Sequence, residues 1–478
     1  MKKPAIAAVL AFLIGATYAA PAPIVTSPTN GAQLGPNTDV IGKTEGKQFV
    51  VIITDVYVKG EYIKSVPGHR HWTDEEGNFS LRLATPRVGR AAKSDTVYKI
   101  RVFTAGPGGN GPETVVTASA KHPMDQRLAG RLQAILVAAV ENAETEFPGA
   151  LLHISSRELG TWAGAAGLGD AEPDAPMAPG DAFRAGSIMK MLVAATVLQL
   201  AEEGKLSLDD PLSALTPEDV SARFAHSARI TVRMLLNHTS GIPDWLTGEM
   251  MAKITANPQR VWDVGEFIDA AAAQEPYFAP GEAWRYSNTN YSLLGLIIEG
   301  VTEHSWREQL RERIIRPLGL TRTLLPEPGT LSVPGRHAHG YMPVEGELVD
   351  YTATDPSMAG AAGGSALVTT AQDLSRFLDA LLTGSLFRDR GTLQRLLAFV
   401  PTDGEATDPQ AYGLGIEKRV LPGGVEALGH LGGTAGFASA AVHVPDRDIT
   451  IVAMVNTMDV ESVQRHLLTP ALQALLGE

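Results

Sequence analysis

The sequence predicts an α+β protein, an antiparallel sheet flanked by helices, preceded by an all-β sandwich. Three observations lead there. Short apolar runs with period two, broken by turn clusters, fill the chain to about residue 121. Helical periods then take over. Before a last helix the pattern returns to strands separated by the tight turns PGG and PDRD, which suit an antiparallel meander. A chain of 478 residues has room for two or three domains. Hydrophobic residues make up 44% and charged residues 19%, so a folded protein is expected, and 48 Gly with 31 Pro point to many turns.

The first twenty residues combine Lys2 and Lys3, an apolar run from Ala5 to Ala16, and small residues at Ala19 and Ala20. That is the layout of a secretory signal, cleaved near Ala19 or Ala20, with no transmembrane anchor once it is removed. A periplasmic or secreted protein is expected. The absence of Cys rules out disulfides, thiolate metal sites and a thiol nucleophile. A formal net charge of −13 without a dense Lys/Arg run argues against nucleic acid or an anionic membrane surface as partner.

Between residues 23 and 121 the clearest strands are Gln48 to Val58, Gly77 to Ala84 and Thr96 to Ala105. The clearest turns are Thr73 to Phe79 and Gly106 to Pro112. By pattern alone, this part resembles the immunoglobulin-like modules attached to secreted bacterial enzymes. The boundary falls at Lys121 to Gln126, and a second domain is expected over 124–478.

That domain opens with an amphipathic helix from Arg127 to Glu146, then a strand from Ala150 to Ser156 and a loop from Gly164 to Asp181. The helix from Ser187 to Gly204 has almost no polar face, which predicts burial. Helical periods dominate from Ile230 to about Leu325. Strands follow at Gly413 to Leu421, Ala438 to Pro445 and Ile449 to Asn456, and a helix from Val460 to Leu476 closes the chain.

A serine alcohol is a weak nucleophile near neutral pH and needs a base within hydrogen-bond reach. In FRAGSIMKM, Ser187 and Lys190 are three residues apart at the start of the apolar helix, so both project from one face. Burial lowers the pKa of a lysine and can make it a proton acceptor. The helix N-terminus favours negative charge developing at Ser187. No other lysine has a serine three residues before it. Further along, WRYSNTNYSLLG holds Tyr286-x-Asn288, the only Tyr-x-Asn among ten tyrosines. GHLGGTAGF holds His430-x-Gly432, the only His-x-Gly among twelve histidines.

These three motifs in this order resemble the penicillin-recognising serine enzymes, in particular the branch of class C β-lactamases, D-alanyl-D-alanine carboxypeptidases and related esterases. LLNHTSGIPDW (Leu235 to Trp245), FAPGEAWRYSNTNYSLLG (Phe278 to Gly295) and AGGSALVTTAQDLSRFL (Ala362 to Leu378) resemble that branch as well, and the likeness spans about Met124 to Glu478. It implies the fold and acyl-enzyme chemistry without a cofactor, with Ser187 as nucleophile and Lys190 as its activating partner. It further implies that Tyr286 carries protons to the leaving group and the deacylating water, and that Asn288 positions the substrate amide. The backbone N–H groups of Ser187 and Gly433 would form the oxyanion hole, with Gly432 beside them. Which of Lys190 and Tyr286 takes the first proton stays open.

The sequence departs from β-lactamases at His430, where they carry a lysine. Histidine is mostly neutral at pH 7 and holds a substrate carboxylate less firmly, so peptidase or esterase action is expected ahead of efficient β-lactam hydrolysis. The partners implied are a small peptide, ester or β-lactam substrate, with cell-wall peptidoglycan as a further candidate. A non-catalytic penicillin-binding or cell-wall-binding protein with the same fold is the alternative, suggested by His430 and the extra β-domain. Two His-x-His pairs, His69 with His71 and His337 with His339, lie in polar loop contexts with no third ligand nearby, so no metal is expected. His238, in HTSG, reads as a hydrogen-bonding residue in a turn after a helix.

Overall fold

The computed structural model describes residues 22–477, apart from 29–31, 35–36, 59–60, 86–95, 107–108, 121–123, 143–144, 146, 172–173, 360–365 and 403–407. The signal-like segment and the start of the AGGSALVTT run lie outside the described residues.

From Ile24 to Ala120 the described chain is strand and turn. A three-stranded sheet (Ile24–Ser27, Asn37–Lys43, Asn78–Ala84) and a five-stranded one (Gln33–Leu34, Phe49–Val58, Glu61–Trp72, Thr96–Gly106, Gly109–Ala120) both contribute to a single apolar cluster. Val40 and Phe79 come from the first, Ile52, Val56, Ile100 and Val102 from the second. Phe49–Val58 and Thr96–Gly106 match the strands predicted there. The segment read as a polar loop around His69 and His71 is instead the edge strand Glu61–Trp72, paired with Phe49–Val58 so that Ile52 faces His69 and Val50 faces His71. Backbone pairing overrides the low apolar content of this segment. Thr26 Oγ1 donates to the Pro317 carbonyl at 2.5 Å, which ties this region to the rest of the chain.

The larger part is built on a nine-stranded sheet. Its centre runs Gly160–Asp170, Gly149–Ser156, Ile449–Val455, Phe437–Val444, Val425–Thr434, Glu417–Leu421, every neighbouring pair antiparallel. Ile449–Val455 is buried at every position, because both faces are covered. Ile449, Ile451, Ala453 and Val455 pack with the helix Gln126–Glu141 and the closing helical run from Val460 to Leu476. Val452 and Met454 face the large helical cluster that holds Ile188 to Leu200. Period two thus gives each face its own core. Among the described residues no helix is long and apolar enough to cross a membrane.

Two expectations need correction. The stretch from Gly164, read as a loop, belongs to the strand Gly160–Asp170, in register with Gly149–Ser156 from Gly160↔Ser156 to Gly167↔Gly149. Its Gly/Ala content is low in β propensity but lets the first helix approach closely. Gln133 Nε2 donates to the Ala165 carbonyl at 2.9 Å, and a Cβ on Gly164 would lie 2.6 Å from Gln133 Oε1. His430, upstream of the strand predicted from Ala438 to Pro445, lies within a strand of its own, Val425–Thr434, that the sequence did not predict. Glycine at positions 429, 432 and 433 hides that strand from propensity.

Candidate active site

The reactive constellation begins at a tight turn. Gly186 takes φ +56°, and the chain enters a 3₁₀ turn, Gly186–Ile188, that runs into the helix Met189–Glu202. A Cβ on Gly186 would fall 2.7–2.9 Å from the backbone of Gly433, so only glycine lets the serine turn and the strand Val425–Thr434 meet. The strand reciprocates. A Cβ on Gly432 would fall 2.1 Å from the Ala185 carbonyl oxygen, to which Ser439 Oγ donates at 3.0 Å. Gly432 and Gly433, singled out from the sequence, therefore sit against the Ser187 turn.

Ser187 is partly exposed, while Lys190 beneath it has no exposed surface. Lys190 Nζ donates to Ser187 Oγ at 3.1 Å and to Asn288 Oδ1 at 2.8 Å. Burial pulls Lys190 down to about 7, against the opposing pull of Asp244 and Glu417. The Tyr286 ring centroid is 4.9 Å from Lys190 Nζ. Burial drives the Tyr286 phenol well above its usual value, and the neighbouring Ser187 offsets only part of this. Ser187 and Lys190 from one segment and Tyr286 and Asn288 from another thus come together.

Asn288 opens the helix Asn288–Thr302. Its amide is oriented from behind, where Nδ2 donates to Asp244 Oδ2 at 3.0 Å. Burial raises the Asp244 carboxyl, although hydrogen bonds and Lys190 counter this. Asp244 lies in the quoted run LLNHTSGIPDW without having been singled out; an acidic residue between Pro243 and Trp245 in an otherwise apolar turn is the signal that could have found it.

His430 is 1% exposed and lies under the cleft rather than in its lining. Its Nε2 is 2.9 Å from the Tyr412 hydroxyl, and its Nδ1 is 2.5 Å from the Leu431 carbonyl oxygen and 3.3 Å from Glu417 Oε1. Both ring nitrogens face protein partners. Burial lowers the His430 pKa, with Glu417 opposing. A neutral ring fits, Nδ1–H donating and Nε2 accepting from Tyr412. Glu417 is in turn bound by Arg419 Nε at 2.7 Å; burial would raise its carboxyl, but the Arg419 charge and the hydrogen bonds from Arg419 and the Leu431 N–H hold it below its usual value. Tyr412 and Glu417 were missed by sequence reasoning. Glu417 and Arg419, two apart on a strand, share a face, and opposite charges at that spacing are the available signal.

His238 follows the short helix Val232–Leu236 at φ +63°, and its Nδ1 accepts from Ser287 N at 3.2 Å and Asn290 Nδ2 at 3.1 Å. Its ring lies 4.4 Å from that of Tyr286. His337 and His339 stack at 5.3 Å, and His339 Nδ1 meets Asp350 at 2.8 Å. Among the described residues no group of three or more His, Cys, Asp or Glu is arranged to hold a metal. The His69 side chain lies outside them.

The profile of the beta-lactamase family matches residues 125–475, which takes in every residue of this constellation. The chain belongs to the beta-lactamase family. Beta-lactamase and DD-peptidase folds, penicillin-binding proteins and D-amino-acid amidases share this superfamily. Among solved structures, a D-stereospecific amidohydrolase from Streptomyces sp. is 31% identical with a TM-score of 0.65, covering 73% of this chain and 99% of that one. A D-amino acid amidase from Ochrobactrum anthropi SV3, complexed with L-phenylalanine amide, is 27% identical with a TM-score of 0.64, covering 74% and 99%. Protein flp of Staphylococcus aureus (strain NCTC 8325 / PS 47) is 34% identical over 157 residues, or 33% of this chain. The matched part spans about 30% of the length of that relative.

Proposed function

We propose that the protein is an exported serine hydrolase that cleaves amide or ester bonds through an acyl-Ser187 intermediate. The observation that carries this is the 3.1 Å contact between a partly exposed serine and a fully buried lysine whose pKa is lowered to about 7. Near neutral pH an appreciable fraction of Lys190 is then neutral amine, able to take the Ser187 proton, whereas Tyr286 holds its proton firmly. On this reading Lys190 takes the first proton. Ser187 Oγ bonds to the substrate carbonyl carbon, and the N–H groups of Ser187 and Gly433 receive the oxyanion. Tyr286 delivers its proton to the departing nitrogen or oxygen, and the proton that Lys190 took from Ser187 replaces it. Water then releases the acyl group by the reverse path. Asn288 offers its second amide N–H to the substrate while Asp244 holds the first. His430 acts from below, bracing Tyr412 and Glu417, and does not touch substrate. Family membership and the amidohydrolase and amidase neighbours agree with a D-amino-acid amide, peptide or ester as substrate.

Residues 1–20 would be the export signal, and 23–121 an immunoglobulin-like module that spaces or targets the hydrolase without giving it a catalytic atom. The test is labelling with a fluorophosphonate or a tagged penicillin and mapping the adduct. A stoichiometric adduct on Ser187, lost in Ser187→Ala, is expected; a folded protein that turns over substrate without one overturns the reading.

A further inference from the structure

The described lining of the cleft in front of Ser187 contains no Lys, Arg, His, Asp or Glu. Besides Ser187, Asn288 and three threonines, the lining is largely apolar, with Trp245, Met251, Ile254, Pro258, Tyr351 and Met358. Trp245, Ile254 and Met358 are buried, so this wall is part of the core and is preformed rather than assembled by the substrate. Leu246 and Met458 continue the apolar surface outward to the mouth, where each is over a third exposed. Lys190, the nearest cation, lies under the serine and is engaged by Ser187 and Asn288.

From this lining we propose that the site selects substrates whose acyl group is apolar and uncharged, an aromatic or branched to medium-length aliphatic side chain seated against Trp245, Met251, Ile254 and Met358, and discriminates against acyl groups bearing a carboxylate. The proposal rests on the acyl-Ser187 reading. An apolar group leaving water for this wall gains roughly 25 cal/mol per Å² buried, whereas a carboxylate there loses hydration and meets no cation. Because the group is held in both ground and transition states, the selectivity appears in kcat/KM.

The test is a p-nitrophenyl ester series with one leaving group: acetate, butyrate, hexanoate, phenylacetate and hemisuccinate, each kcat/KM divided by the ester's own hydroxide rate. A rise of at least about tenfold from acetate to hexanoate or phenylacetate is expected, with hemisuccinate at least about tenfold below butyrate. Met251→Glu, on a half-exposed helix position, should shrink the hexanoate-to-acetate ratio severalfold; a ratio is independent of how much of the variant folds. A flat series, or hemisuccinate equal to butyrate, in a protein whose Ser187 is labelled by a small fluorophosphonate overturns the apolar-acyl proposal and leaves the hydrolase standing. Failure of Ser187 to label overturns the hydrolase reading and this proposal with it.

Discussion

Lys190 carries a proton in the unfolded chain at any pH below about 10, and the fold surrounds it completely. A drop from 10.5 to about 7 means the unfolded chain binds more protons between those values, so stability contributed at this position rises with pH across that window. The burden is roughly 4–5 kcal/mol below pH 7 and vanishes above 10.5. Lys190→Met should therefore abolish turnover yet raise the melting temperature, and by more at pH 6 than at pH 9; calorimetry at the two pH values checks this. In the native enzyme kcat/KM should climb with pH through an apparent value near 7 as the amine loses its proton. Asp244 and Glu417 oppose that lowering, so Asp244→Asn should move the acid limb to lower pH. It also exchanges a charged acceptor of Asn288 for a neutral one, and a tenfold loss of kcat is the expected scale. A pH–rate profile that stays where it was would show that Asp244 does not act on Lys190.

At the scale of elements, the site depends on how closely one strand can pass one turn. Gly432→Ala puts a Cβ 2.1 Å from the Ala185 carbonyl oxygen, a backbone atom that cannot swing aside. A loss of about 1–3 kcal/mol is expected, together with a large fall in kcat, because Ala185 leads directly into the Ser187 turn. Gly433→Ala meets only Val460 Cγ2, at 3.0 Å, and should cost less than about 1 kcal/mol. Chemical denaturation of the two variants side by side separates them. Equal losses would mean that glycine is there for strand flexibility and not for close approach.

For the whole molecule, every residue assigned a role lies after residue 124, while contacts between the β-rich region and the rest include Thr26 at Pro317 and Ile41 at Gly319. A protein beginning near His122 should keep its kcat/KM on a small neutral ester. It should melt a few degrees lower, because removing Ile41 uncovers the Gly319 turn. A folded truncation that loses turnover would show that the β-rich region shapes the site.

The motifs Ser187-x-x-Lys190, Tyr286-x-Asn288 and His430-x-Gly432, the buried character of the serine helix and the strand meander near the C-terminus were all legible in the sequence. Local spacing and apolar period determine them without long-range information. The strand Gly160–Asp170 and the location of His430 inside a strand were not legible, because Gly and Ala carry little propensity and it is backbone pairing with the neighbouring hairpin strands that decides them. The same holds for the site's electrostatics. That Lys190 is lowered to about 7, that Asp244 holds Asn288, and that His430 turns both nitrogens toward Tyr412, Leu431 and Glu417 follow from burial and from contacts between separate elements of the fold. Desolvation and charge proximity exist only once the chain has closed around them, so only the tertiary structure could decide them.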